Sequence, residues 1–134
     1  MSRSGYSDDW DDESQLWLYR QAVKKAIEGK RGQQFMRDLI TALDALPVKR
    51  LIEADLEYDG EVCALGSVGK LRGIPMNGLD THDRDEMAAT FGVAPSLAAE
   101  VMFENDEGAF KRETPEQRWE RMRQWAVDNL EAPR

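Results

Sequence analysis

Asp55, Glu57 and Asp59 alternate along the chain and run directly into Gly60. Carboxylates at every second position before a glycine imitate the opening of a calcium loop, where hard cations take oxygen ligands and the glycine makes the sharp turn. Such a loop closes on a bidentate glutamate at its twelfth position; counted from Asp55, that position is Gly66. The same spacing is met by a solvated strand face ending in a hairpin turn, and this is the reading adopted, with no metal expected. A second chemistry would join Cys63 to His82, since a nucleophilic thiol needs a base. His82 falls in the first turn of a predicted helix, where capping suits it, and Cys63 sits among small apolar residues, where it packs as a hydrophobe. These are the only cysteine and the only histidine. An intramolecular disulfide, a cysteine-based zinc site and a multi-histidine metal site are therefore excluded. No catalytic residue and no cofactor is assigned, and the chain is expected not to be an enzyme.

The remaining chemistry is that of charge. The 134 residues carry a net charge of −8, unevenly distributed. Residues 20–50 hold eight Lys/Arg against three acids, whereas 53–61 hold five acids and no base, and 80–107 hold eight acids against Arg84. An electrostatically divided surface suits docking. The acidic candidates for a partner-binding face are Glu53, Asp55, Glu57, Asp59 and Glu61, joined by Asp83, Asp85 and Glu86. On a strand the first five would form a row spaced by roughly 6.7 Å. Their expected partner is a protein with a basic surface.

The alternative face is basic: Arg20, Lys24, Lys25, Lys30, Arg31 and Arg37, able to meet phosphate even on an acidic protein. Trp17 and Tyr19 are its nearest aromatics, and Trp17, like Trp119 and Trp125, is assigned to the core. Gly29-Lys30-Arg31-Gly32 is too short for a phosphate-binding P-loop. A helix-turn-helix rhythm occurs at 87–104, but its second helix would present Ser96, Ala99, Glu100 and Glu104. Such a surface repels the phosphates that dominate DNA affinity.

The elements that must position these groups read as mainly α: about five helices in one domain over 14–134, with a short β-hairpin near 51–65. Residues 1–13 form an acidic, flexible arm in which Tyr6 and Trp10 are the aromatic exceptions. The first helix covers 14–28 with Leu16, Tyr19, Val23 and Ile27 on one face, and Gly29 and Gly32 stop it. The second covers 33–46 with Phe35, Leu39, Leu43 and Leu46, and ends at Pro47. Ala54, Leu56, Tyr58 and Val62 alternate with the carboxylates, and Asp59-Gly60 is a two-residue turn signal. A helix through 49–57 is the competing reading. Residues 63–73 either continue a strand or open a small-residue helix. Further helices are predicted from 80/81 to 92, burying Met87 and Phe91, and from 95 to 104, burying Leu97 and Val101. A charged loop follows at 105–112. Thr114-Pro115-Glu116-Gln117 combines a cap, Pro at the first helical position and Gln at the third. The helix it opens turns Trp119, Met122, Ala126 and Leu130 inward and leaves Arg118, Arg121 and Arg123 outside that stripe.

Gly60-Glu61-Val62-Cys63-Ala64-Leu65-Gly66, then Asn105-Asp106, then Thr114-Pro115-Glu116-Gln117-Arg118-Trp119 resemble a group of small accessory proteins encoded by phages and prophages of proteobacteria. Residues 2–9 and Gly29-Lys30-Arg31-Gly32-Gln33 resemble it too, so the likeness spans nearly the whole chain. The resemblance carries no activity and no assigned catalytic residue. It implies a phage accessory protein in a bacterial cytoplasm, of a kind that binds and modulates a host protein, including defence machinery in an anti-CRISPR-like manner. A cytoplasmic location agrees with an opening that lacks the apolar stretch of a signal peptide. No run approaches the roughly 18 apolar residues of a membrane span. The expected function is a non-catalytic protein-binding module, an acidic inhibitor of a nucleic-acid-handling or defence complex. A small nucleic-acid-binding regulator using residues 20–37 is the alternative.

Overall fold

The computed structural model describes residues 3–4, 13–109 and 111–131, with side chains from Trp17 onward and at Arg3 and Ser4. Helix α1 (Glu13–Glu28) and helix α2 (Lys30–Ala45) form a hairpin hinged on Gly29 alone. Gly32 does not stop α1; it lies inside α2, where a Cβ would come within 1.9 Å of the Ala26 carbonyl. The two helices approach so closely there that only glycine fits. The second helix therefore starts three residues earlier than expected, and Lys30 and Arg31 occupy its first turn rather than a loop.

Next comes the hairpin, strand β1 (Glu57–Tyr58) antiparallel to strand β2 (Glu61–Val62), with Glu57 opposite Val62 and Tyr58 opposite Glu61. Helix α3 (Ala64–Arg72) follows at once and settles residues 63–73 as helical. Cys63 is its cap, its Sγ accepting the Gly66 N–H at 3.3 Å. Helix α4 (Arg84–Phe91) begins later than expected because Asp83, not Asp80 or Thr81, is its cap: Asp83 Oδ1 accepts the Glu86 N–H at 3.1 Å. His82 thus lies in the preceding turn, its N–H donated to Asp80 Oδ1, and is exposed.

Helix α5 (Pro95–Glu107) runs three residues past its expected end, so Asn105 is helical and fully buried instead of opening a loop. Helix α6 (Pro115–Asp128) carries the expected capping box, with Thr114 and Gln117 satisfying each other's backbone N–H. Among the described residues there are six helices.

Helix α5 is the central element, touching α1, α3, α4 and α6, while α2 lies against α1, α3 and α6. Phe35, Leu39 and Leu43 from α2 meet Leu65 and Val68 from α3, Leu97, Val101 and Met102 from α5, and Met122 and Ala126 from α6 in one core. Met87 and Phe91 close it from α4. Burying each large apolar side chain contributes about 1.5–3 kcal/mol. Trp17, assigned to the core by sequence, is 60% exposed. It lies two positions before Tyr19, nearly opposite on a helix turning 3.6 residues per turn. Tyr19 packs on the core and donates its hydroxyl to the Ser96 carbonyl at 3.1 Å.

Of the arm expected over 1–13, the acidic stretch 5–12, with Tyr6 and Trp10, lies outside the described residues. Arg3 and Ser4 do not behave as loose chain: both are buried. No helix among the described residues is long and apolar enough to cross a membrane.

Candidate functional site

Asp59 and Gly60 both take positive φ, 53° and 80°, as a type I′ turn requires. Leu56 and Val62, only 4% and 3% exposed, root the hairpin in the core. Its base is tied by Ile52 N–H to the Val62 carbonyl (3.0 Å) and Cys63 N–H to the Leu56 carbonyl (3.2 Å).

A regular row of five carboxylates does not form. Only residues 57–58 and 61–62 are strand. Ala54 turns the chain into a left-handed conformation (φ 71°), which puts Glu53 and Asp55 off the strand, and Tyr58, expected on the inner side, is 70% exposed. The five acids also divide by partner. Glu61 pairs with Arg50 Nε at 2.6 Å, and Glu53 lies 3.6 Å from Arg118. Asp55, Glu57 and Asp59 are exposed and make no ion pair with any described residue.

What forms instead is a cleft of about 460 Å³, with Asp55, Leu56 and Glu57 on one wall and residues 76–79 and Thr81 on the other. Residues 80–83 lead from this wall into α4, but Asp83, Asp85 and Glu86 do not line the cleft, whose carboxylates are Asp55 and Glu57. Asp83, Asp85 and Glu86 occupy the start of that helix, where its dipole favours negative charge. Asp83 is engaged as the cap of that helix.

Behind the hairpin lies a polar network that sequence reasoning missed. Asn105 Oδ1 accepts the Ala64 N–H at 3.0 Å, and its Nδ2 donates to the Ile52 carbonyl (3.0 Å) and Asp106 Oδ1 (2.8 Å). Arg3 grips Asp106 with two bonds, Nε to Oδ2 at 2.6 Å and Nη2 to Oδ1 at 2.9 Å, and reaches Cys63 Sγ with Nη1 at 3.5 Å. The Ala54 N–H also binds Asp106, which holds the left-handed turn in place. Burial opposes the Asp106 charge, but the hydrogen bond and positive charge of Arg3, aided by Asn105 and Ala54, hold its carboxyl below the usual carboxylate range.

Arg118, expected outside the apolar stripe of α6, is buried and donates to the carbonyls of Asn105 and Leu51. A sequence signal existed for both misses. Asn105 follows Leu97 and Val101 at spacing four, and Arg118 precedes Met122 and Ala126 at the same spacing, so each continues an inward-facing row.

The basic candidates Arg20, Lys24, Lys25, Lys30, Arg31 and Arg37 are all exposed. Arg20 and Lys24 border a cleft of about 380 Å³ that reaches Trp125 and is also lined by Glu28, Glu100, Asp128 and Glu131. Lys30, Arg31 and Arg37 border a second cleft of about 730 Å³, which Arg72 joins from the end of α3 and Glu28 again bounds. Arg72 was not among the expected residues. It donates to the Phe91 carbonyl (2.8 Å) and pairs with Asp38 (2.8 Å). Lys30 and Arg31 occupy the first turn of α2, which contains no acid. Cations there oppose the helix dipole, at a cost of about 0.3–1 kcal/mol each. The larger basic cleft lies at the C-terminal ends of α3 and α4, where Arg72 and Phe91 border it.

The helix-turn-helix reading fails on packing. Helix α5 is covered by its neighbours, Ala99 is fully buried, and Glu104 lies 3.7 Å from Arg121. Cys63 is buried as a helix cap under Arg3, and Gly66, at the closing position of the imagined calcium loop, lies in the first turn of α3. No group of three or more metal-binding side chains occurs among the described residues. No family model, no curated protein and no solved structure matches this chain.

Proposed function

We propose that this chain is a non-catalytic protein-binding module that docks its acidic hairpin cleft onto a basic surface of a partner protein. The observation that carries the reading is a cleft with Asp55 and Glu57 on its hairpin wall and Asp59 exposed at the adjoining turn, none of the three paired with a described cation. Structural acids elsewhere in the molecule have partners: Asp106 has Arg3, Glu113 has Arg121, and Asp44 has Arg123. A rigid turn rooted in the core presents the free carboxylates in a fixed arrangement, which lowers the ordering cost of binding. Together with the resemblance to phage accessory proteins, the charge favours a target whose own surface is built to hold nucleic acid, such as a host defence complex.

The test is a tagged pull-down from nuclease-treated bacterial lysate, comparing the native chain with an Asp55→Lys, Glu57→Lys, Asp59→Asn variant. Asparagine is used at 59 because the left-handed backbone there tolerates it and disfavours lysine. A defined protein retained by the native chain and lost by the variant is the expected result. Equal retention by both would overturn the acidic-face assignment.

A further inference from the structure

We infer that the basic side of the molecule is a second binding surface, for single-stranded nucleic acid. On α1, Trp17, Arg20 and Lys24 stand at spacings of three and four, so they share one face. Trp17 is 60% exposed, and none of the three is held in the core. The two clefts on this side share Glu28 as a common wall, which makes them neighbours. The track therefore continues from Lys24 into the larger cleft, where Lys30, Gln34 and Arg37 repeat along α2 at spacings of four and three. They span about 10 Å of that helix, with Arg31 and Arg72 beside them.

Cations strung along a track suit a linear polyanion better than a single phosphate. The exposed indole at one end supplies the stacking face that single-strand binders place beside a basic groove. A duplex hides its base faces and has no use for Trp17. A lipid surface would need apolar residues on the cleft, and the one large apolar side chain lining it, Phe91, is 1% exposed. Acids also border the track: Glu28, 4.0 Å from Lys24, lines the smaller cleft with Glu100, Asp128 and Glu131, and Asp38 is held by Arg72. The phosphates therefore seat in the larger cleft, where Lys30, Arg31, Arg37 and Arg72 face Glu28 alone among the lining acids. The cations of the first turn of α2 supply an independent sign. With no acid there to offset them, they oppose the helix dipole, and a bound phosphate would reverse that conflict. Local misfits of this kind concentrate at functional sites. This surface is distinct from the acidic cleft and stands or falls separately.

The experiment is fluorescence anisotropy of a labelled single-stranded oligonucleotide against the full chain at several salt concentrations. Three proteins are compared: native, Lys30→Ala/Arg31→Ala/Arg37→Ala, and Trp17→Ala. All four altered residues are exposed, so folding should survive, and melting curves check it. The triple variant should bind at least tenfold more weakly, and its salt slope should be smaller by about 2, near 0.7 per lost phosphate contact. Trp17→Ala should weaken binding roughly five- to a hundredfold, with its salt slope unchanged. Absence of binding at low salt, unaltered affinity in both variants, or a duplex bound as tightly as the single strand would overturn the inference. Displacement of the oligonucleotide by equimolar pyrophosphate would also overturn it, by making the ligand a small phosphate.

Discussion

The polar network behind the hairpin and the acidic cleft in front of it use the same residue types in opposite ways. Behind, Asn105, Asp106, Arg3 and Arg118 are buried or nearly so, and their polar groups are bonded. In front, Asp55, Glu57 and Asp59 face water and pair with no described cation. Buried polar groups must be satisfied because an unmet one costs about 1–3 kcal/mol. Exposed charges are under no such demand and add little to stability. The network therefore belongs to the fold, and the cleft is available for function.

Asp106→Ala should break the contrast most severely. It leaves the Arg3 guanidinium buried without its counter-charge and frees the Ala54 N–H, at an expected cost of about 3–5 kcal/mol, read by chemical denaturation. The same carboxyl makes acid stability diagnostic. Its folded pKa is lowered, so its contribution is complete above the unfolded value of about 3.9 and is lost as pH falls through the folded value. An Asp106→Asn variant should show a shallower acid limb below about pH 4 than the native chain.

Asn105→Ala comes next. It removes the partners of the Ala64 N–H and the Ile52 carbonyl, at about 2–3 kcal/mol, and should lower the melting midpoint by roughly 10 °C. Glu104 sharpens the comparison from the other direction. Burial and then the nearby Glu100 raise its pKa, and Arg121 only partly offsets them. A raised carboxyl favours the proton in the folded state, so its ionised form lowers stability at neutral pH. Glu104→Gln should therefore raise stability at pH 7 by about 0.5 kcal/mol, with the gain vanishing below about pH 4.

Much of this architecture was legible in the sequence. Helical spacing located α1, α2, α5 and α6, and Asp59-Gly60 marked the turn with its positive φ pair. Boundaries failed where tertiary contact overrode local signals. Gly32 looked like a stop and is a close-packing site, because the neighbouring Ala26 carbonyl is invisible in a linear reading. The carboxylate row failed because Ala54 is fixed by Asp106, 52 residues away. Arg3 and Arg118 looked like solvent-facing charges, and only the folded chain shows the carboxylate and carbonyls that draw them inside. Six of the eight acidic candidates are exposed and Glu61 and Glu86 are half-buried, but the wall formed by residues 76–79 and Thr81 was not foreseeable from spacing. Neither was Arg72 in the basic cleft.

The account rests on the hairpin cleft being free for a partner rather than needed by the fold. The most direct measurement follows melting and partner retention together for the Asp55→Lys, Glu57→Lys, Asp59→Asn variant. Stability should stay within about 0.5 kcal/mol of the native chain, while the protein retained from nuclease-treated lysate is lost. A variant that keeps its partner, or one that unfolds, would contradict the assignment of this face to binding.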